Sequence, residues 1–145
     1  MRKAYLVGTA VLAVGFIAAY PNPRAQKALV AKGEYVVTRA SMCIDCHTPM
    51  LPDGRPDDTR KLGGAPIGFK PNVEIPNWET AAPNLTPAGF LKDWTDSQLV
   101  TFLRTGKDPH GHLAHPPMPA YRLNPADAQA VTAYLRSMPP VQPGS

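Results

Sequence analysis

The chain has 145 residues, which is enough for one small domain preceded by a short leader segment. Its 15 basic and 11 acidic side chains give a formal charge of +4, and half of that excess comes from two basic residues at the start of the chain. Such a small excess argues against a nucleic acid partner. The 18 prolines limit regular structure and predict long, extended connections that wrap around a bound group.

The first 22 residues are predicted to form a leader, separate from a domain at 23–145. A positive start is followed by residues 4–20, which carry no charge, and this pattern predicts a signal peptide or a membrane anchor. We expect a retained anchor, because bulky or charged residues precede both Ala19 and Ala25 and make poor cleavage sites. The basic start would then stay inside and the domain outside. The alternative is cleavage, which would release a soluble periplasmic domain.

The first helix of the domain is predicted from Arg24 to Ser41. Prolines break the chain before it, and apolar residues then recur at spacings of three and four. Gly33 stands inside this helix, where glycine costs about 1 kcal/mol relative to alanine. We therefore expect another helix to approach the chain closely at Gly33.

The motif Cys43-Ile44-Asp45-Cys46-His47 follows and is the attachment signature of a c-type haem. Each thiol can add to one vinyl group of the haem, and the histidine can then reach the iron. The chain has two cysteines, so a four-ligand zinc site lacks its second half. A thiol–disulfide redox pair is also disfavoured, because no βαβ pattern surrounds the motif.

Residues 48–93 are predicted to be mostly irregular, since glycines and prolines interrupt every run. A loop of this length in a small domain usually signals function or a bound cofactor. Order returns at Trp94, after which Thr95 and Gln98 form a capping box for a helix that ends at Gly106. Asn124 caps a last helix, which ends at the prolines that follow Met138.

Met118 is the predicted second ligand of a haem iron. It lies far from His47 in the chain, in the stiff segment His115-Pro116-Pro117-Met118-Pro119, and a rigid setting suits a weakly binding thioether. Histidine is the rival ligand, because His115 lies in the same loop. Two histidine ligands would lower the reduction potential relative to the histidine–methionine pair.

Together these segments resemble a class I c-type cytochrome. The resemblance covers nearly all of the chain after the leader. This part of the chain is similar to single-haem modules of bacterial periplasmic electron-transfer proteins. These include the cytochrome subunits of membrane-bound alcohol and aldehyde dehydrogenases. It rests on CIDCHTP at 43–49, Gly63-Gly64, NLTP at 84–87, Trp94, PPMPAY at 116–121 and AYLRSMPP at 133–140.

The resemblance implies an all-α fold, a cytochrome c-like helical bundle around one covalent haem c. The first and last helices would cross, with Gly33 beneath Tyr134. Trp94, Asn84 and Tyr121 become candidates for contact with the haem.

The function expected from this pattern is one-electron transfer on the periplasmic side of a bacterial inner membrane. Partners would be redox proteins, such as a dehydrogenase, an oxidase, a reaction centre or a quinol-oxidising complex. One alternative is a haem-bearing subunit of a larger membrane complex. Another is a haem enzyme, such as a peroxidase, but this needs an open iron position, against which Met118 argues.

Overall fold

The computed structural model describes residues 22–142, and most of its regular structure is helical. The four α-helices are α1 (Pro23–Tyr35), α2 (Cys43–His47), α3 (Asp96–Thr105) and α4 (Pro125–Ser137). The all-α prediction is therefore confirmed for this part of the chain. The predicted leader at 1–22 lies outside the described residues except for Asn22.

The first helix changes its winding near the end of the predicted span. Asn22 caps α1 through its side-chain oxygen, which accepts from the Arg24 amide. The α-helix ends at Tyr35, and Val36–Ala40 continue as a π-helix that closes with the Ser41 amide donating to the Val36 carbonyl. The sequence pattern predicted one continuous helix, because periodicity alone does not distinguish a single wide turn from an α-helix.

Helices α1 and α4 pack directly against each other at Gly33. A Cβ atom at Gly33 would lie 1.9 Å from the Ala130 carbonyl oxygen and 2.7 Å from the Tyr134 Cβ. This confirms the predicted close approach beneath Tyr134. The buried core continues from this crossing along Val36, Val37, Leu99, Leu103, Val131 and Leu135.

Short elements interrupt the long connection between α2 and α3. Asp58–Arg60 and Phe90–Asp93 form single 3₁₀ turns, and strand β1 (Ala65–Pro66) pairs antiparallel with β2 (Ala81–Ala82). The rest of this stretch is irregular, as predicted. Two-residue strands leave no alternation for a sequence pattern to reveal.

The predicted ends of α3 and α4 are confirmed. Thr95 and Gln98 form a reciprocal capping box at the start of α3, and Gly106 ends the helix in the left-handed conformation at φ 72°. Asn124 accepts from the Asp127 amide at the start of α4, with Pro125 in the first turn. Within residues 22–142, none of the helices has the length and apolar character needed to cross a membrane.

Candidate functional site

Six of the seven candidate residues line a single cavity of about 660 Å³. This volume is typical of a cofactor pocket. Most of its wall is apolar and comes from α3, α4 and the loops between the helices. The six candidate residues are Cys43, Cys46, His47, Trp94, Met118 and Tyr121.

Helix α2 brings the two thiols and the imidazole to this cavity. Met42 turns the chain into α2 with the left-handed angles φ 49° and ψ 36°. Cys43 and Cys46 are three residues apart on the helix, so they lie on the same face, and both are free thiols. Burial raises the pKa of the Cys43 thiol, which keeps it protonated at neutral pH. The two sulfur atoms are therefore available to the group that fills the cavity.

His47 is held in the tautomer that suits an iron ligand. The residue is 4% exposed, and Nδ1 of its ring lies 2.8 Å from the Pro83 carbonyl oxygen. Because a carbonyl only accepts, Nδ1 carries the proton and Nε2 keeps its lone pair. Burial lowers the pKa of His47, although the bond to Pro83 opposes the shift. The imidazole is thus neutral, as ligation requires.

Met118 reaches the cavity on a loop that the rest of the protein holds at several points. Its amide donates to the His115 carbonyl at 3.0 Å, and the Pro116 carbonyl accepts from the Glu79 amide at 2.7 Å. The rival ligand His115 also lines the cavity, but its Nδ1 lies 2.8 Å from Glu79 Oε1. That pair occupies one nitrogen of the His115 ring.

Tyr121 joins the Met118 loop to the chain just before the cysteines. Its hydroxyl donates to the Ser41 carbonyl at 2.6 Å. Burial, and secondarily the Cys43 thiol, raise the pKa of Tyr121, so the phenol remains a hydrogen-bond donor. The residue therefore ties together two chain segments that border the cavity.

Trp94 lines the cavity between two other aromatic rings. The ring centroids of Phe90 and Phe102 lie 5.5 Å and 5.4 Å from that of Trp94. Arg136 on α4 donates to the carbonyls of Leu91 and Trp94, which holds this segment against α4.

Asn84 is the candidate that the structure does not bring to the cavity wall. Its side-chain amide donates to the Val141 carbonyl at 2.7 Å, and its oxygen accepts from Thr86. The contact between Asn84 and a haem remains a prediction without a supporting contact. Sequence reasoning missed Pro83 as the partner of His47, because a backbone carbonyl 36 residues away has no residue-type signal.

The residues present fit a covalently attached haem. The cavity is apolar and large, two thiols and a neutral imidazole stand on one short helix, and a thioether lines the same space. Among residues 22–142, no group of three or more histidine, cysteine or acidic side chains gathers as a separate metal site. The fold and the site together define a c-type haem domain.

The similarity of this chain to known proteins agrees with its assignment as a c-type haem domain. A family model described as Cytochrome c matches residues 30–139. The chain belongs to the cytochrome c family, and membership implies covalently bound haem c.

Three curated relatives are similar in sequence to this chain. The chain is 35% identical over 115 residues to the fructose dehydrogenase cytochrome subunit of Gluconobacter japonicus, covering 74% of this chain and 22% of that protein. It is 32% identical over 129 residues to the cytochrome c subunit of the quinone alcohol dehydrogenase of Gluconobacter oxydans, covering 79% and 25%. A diheme cytochrome c-type protein of Cereibacter sphaeroides is 29% identical over 116 residues, covering 77% and 36%. The chain therefore spans about a quarter to a third of the length of these relatives.

Proposed function

We propose that this protein carries single electrons through one haem c and is not itself an enzyme. The observation that carries the proposal is the cavity that gathers Cys43, Cys46, His47 and Met118. The haem supplies a redox centre that gains and loses one electron without making or breaking bonds in a substrate.

The two thiols attach the group covalently. Each S–H of Cys43 and Cys46 adds across one vinyl C=C bond, with sulfur bound to one carbon and hydrogen to the other. The addition leaves the overall oxidation level unchanged, so no external oxidant is needed. Both thiols are half-buried and free in the structure, which supports this role.

His47 and Met118 are the proposed iron ligands. The hydrogen bond from Nδ1 of His47 to Pro83 leaves Nε2 for the metal and fixes the plane of the ring. The Met118 loop is held by Glu79 and by Tyr121, so the thioether is presented by a rigid segment. Rigid ligands keep the geometry similar in the two oxidation states, and methionine favours the reduced state. Trp94 and Tyr121 complete the proposed haem pocket.

The proposed partners are redox proteins, and a dehydrogenase is the first candidate. The names of two relatives, which are cytochrome subunits of dehydrogenases, support a place in such a complex. An oxidase, a reaction centre or a quinol-oxidising complex would serve as acceptor or alternative donor. We place the domain on the periplasmic side of the inner membrane, anchored by residues 1–22, on the basis of their sequence.

Haem attachment and ligation are tested on the purified native protein. Its intact mass should exceed that of the bare chain by one haem, and the haem should resist acid–acetone extraction. The oxidised protein should show the weak near-infrared band of sulfur-to-iron charge transfer, and Met118→Ala should abolish it. The variant should also bind carbon monoxide more readily and have a lower reduction potential, because it loses the thioether.

A matched control is Met50→Ala, which removes an exposed methionine close to the attachment motif. It should keep the charge-transfer band. Haem that extracts freely would refute covalent attachment. A wild-type protein that lacks the band and binds carbon monoxide readily would refute the electron-carrier assignment.

A further inference from the structure

Asn84 lies next to the carbonyl that orients His47, although it does not line the cavity. The Pro83 carbonyl and the Asn84 amide belong to one planar peptide group. A contact that holds Asn84 in place therefore also restricts the direction in which the Pro83 oxygen points.

We propose that Asn84, Thr86 and Val141 form a positioning unit that sets the hydrogen bond between Pro83 and His47. The proposal rests on the function proposed above, in which His47 binds the iron. It assigns Asn84 a role exerted through the backbone, in place of direct contact with the haem. It also gives the segment after α4 a part in the haem site.

Four hydrogen bonds connect the members of this unit. Asn84 Nδ2 donates to the Val141 carbonyl at 2.7 Å, and Asn84 Oδ1 accepts from the Thr86 amide at 2.8 Å and the Thr86 hydroxyl at 2.7 Å. The Thr86 hydroxyl oxygen accepts in turn from the Val141 amide at 3.0 Å. Thr86 is buried at 1% exposure, so water has little access to the bonds that Thr86 makes. The Asn84 side chain is thereby held at both its oxygen and its nitrogen.

Gly64 packs against the peptide group that joins Pro83 to Asn84, and Gly89 packs against the next peptide group, which joins Asn84 to Leu85. A Cβ at Gly64 would lie 2.8 Å from the Asn84 amide nitrogen and 3.1 Å from the Pro83 carbonyl carbon. A Cβ at Gly89 would lie 2.2 Å from the Asn84 carbonyl oxygen. The Gly64 amide also donates to the His47 carbonyl at 2.8 Å. The backbone of His47 and the peptide that binds its ring are thus packed around one glycine.

The consequence for the iron follows from the chemistry of a histidine ligand. A hydrogen bond from Nδ1 to a carbonyl makes the imidazole a stronger electron donor, which stabilises oxidised iron. If Pro83 turns away, the ligand donates less and the reduction potential rises. A unit that served only to hold the fold together would change stability without this shift.

The test uses Asn84→Ala and Thr86→Val in the haem-loaded full chain. The first variant removes three of the bonds, and the second removes the two made by the hydroxyl. Both should raise the reduction potential and accelerate solvent exchange of the His47 Nδ1 proton, followed by NMR in the reduced state. The change should be smaller in Thr86→Val. If Asn84→Ala yields no folded haem protein, Thr86→Val decides the question.

Thr132→Val is the matched control for Thr86→Val. Thr132 is also buried, and its hydroxyl donates within α4 to the Ala128 carbonyl, which is not part of the positioning unit. It should keep both the wild-type potential and the wild-type proton exchange. Wild-type values in Thr86→Val or Asn84→Ala, despite a lowered melting temperature, would overturn the inference while leaving the electron-carrier function intact. A wild-type protein without haem would instead refute that function.

Discussion

Asp57 organises the turn that follows the attachment motif through three hydrogen bonds to its carboxylate. Oδ1 accepts from the Thr59 amide at 3.0 Å and the Thr59 hydroxyl at 2.6 Å, and Oδ2 accepts from Arg60 Nε at 2.7 Å. The Thr59 hydroxyl, followed by Arg60, lowers the pKa of Asp57 to about 2. These bonds are stronger to the ionised carboxylate, and the ion pair with Arg60 exists only in that form, so the turn is sensitive to acid.

The stabilisation from Asp57 should disappear in a defined pH window. An aspartate in an unfolded chain titrates near pH 3.9, above the value of about 2 in the folded protein. The unfolded state therefore binds the proton first, and stability falls as the pH drops from about 4 to about 2. We expect Asp57→Asn to flatten this acid limb of the melting temperature. Asp58→Asn, an exposed neighbour, should keep it, and an unchanged limb in Asp57→Asn would contradict the assignment.

At the scale of elements, the crossing of α1 and α4 depends on Gly33. The Ala130 carbonyl and the Tyr134 side chain fill the space where a Cβ would stand. Gly33→Ala should force the two helices apart, and overpacking of this kind typically costs about 1–3 kcal/mol. The measurement is the midpoint of chemical denaturation of the haem-loaded protein. Gly68→Ala is the control, because a Cβ at Gly68 meets nothing within 4 Å. Equal midpoints for the two variants would show that the crossing tolerates a methyl group.

The elements that sequence predicted are those whose signals are local. Thr95 and Gln98 lie three residues apart, as do Asn124 and Asp127, so each cap needs only its own turn. The Gly33 crossing was also predictable, because glycine destabilises the interior of a helix and close approach of another helix explains its presence. The attachment motif and the methionine loop were predictable as well, because each is recognisable from a short stretch of sequence.

The elements that sequence missed depend on distant partners. The wide turn at Val36–Ala40 has ordinary side chains, and it differs from an α-helix only in which carbonyl accepts each backbone amide. Asn84 was a candidate through the resemblance of its segment to c-type cytochromes, but its partner Val141 lies 57 residues away. The resemblance made Asn84 a candidate, whereas the structure shows which backbone group its side chain binds.

At the scale of the whole molecule, the cavity lies directly against the buried hydrophobic core and shares residues with it. Helices α2, α3 and α4 all contribute side chains to its wall, including Leu99, Leu103 and Val131. The apolar side chains on this wall have no packing partner across the open space unless a bound group supplies one, whereas the interiors of folded domains are closely packed. The group that fills the cavity is therefore part of the fold.

We expect the chain without haem to lose its fixed tertiary packing. The protein is prepared for this test without attachment, as Cys43→Ser/Cys46→Ser, and compared with the haem-loaded form. Its amide NMR spectrum should be poorly dispersed and its thermal transition broad, because the helices then lack the surface against which they pack. Haem-loaded Met118→Ala is the control, because it keeps the haem in the cavity but loses one ligand of the iron. It therefore separates the effect of filling the cavity from the effect of iron ligation. It should keep a dispersed spectrum and a cooperative transition. If the amide spectrum of the haem-free chain is as well dispersed as that of the haem-loaded protein, the apolar side chains of the cavity wall pack against one another. The fold would then not depend on the haem, and this expectation would be wrong.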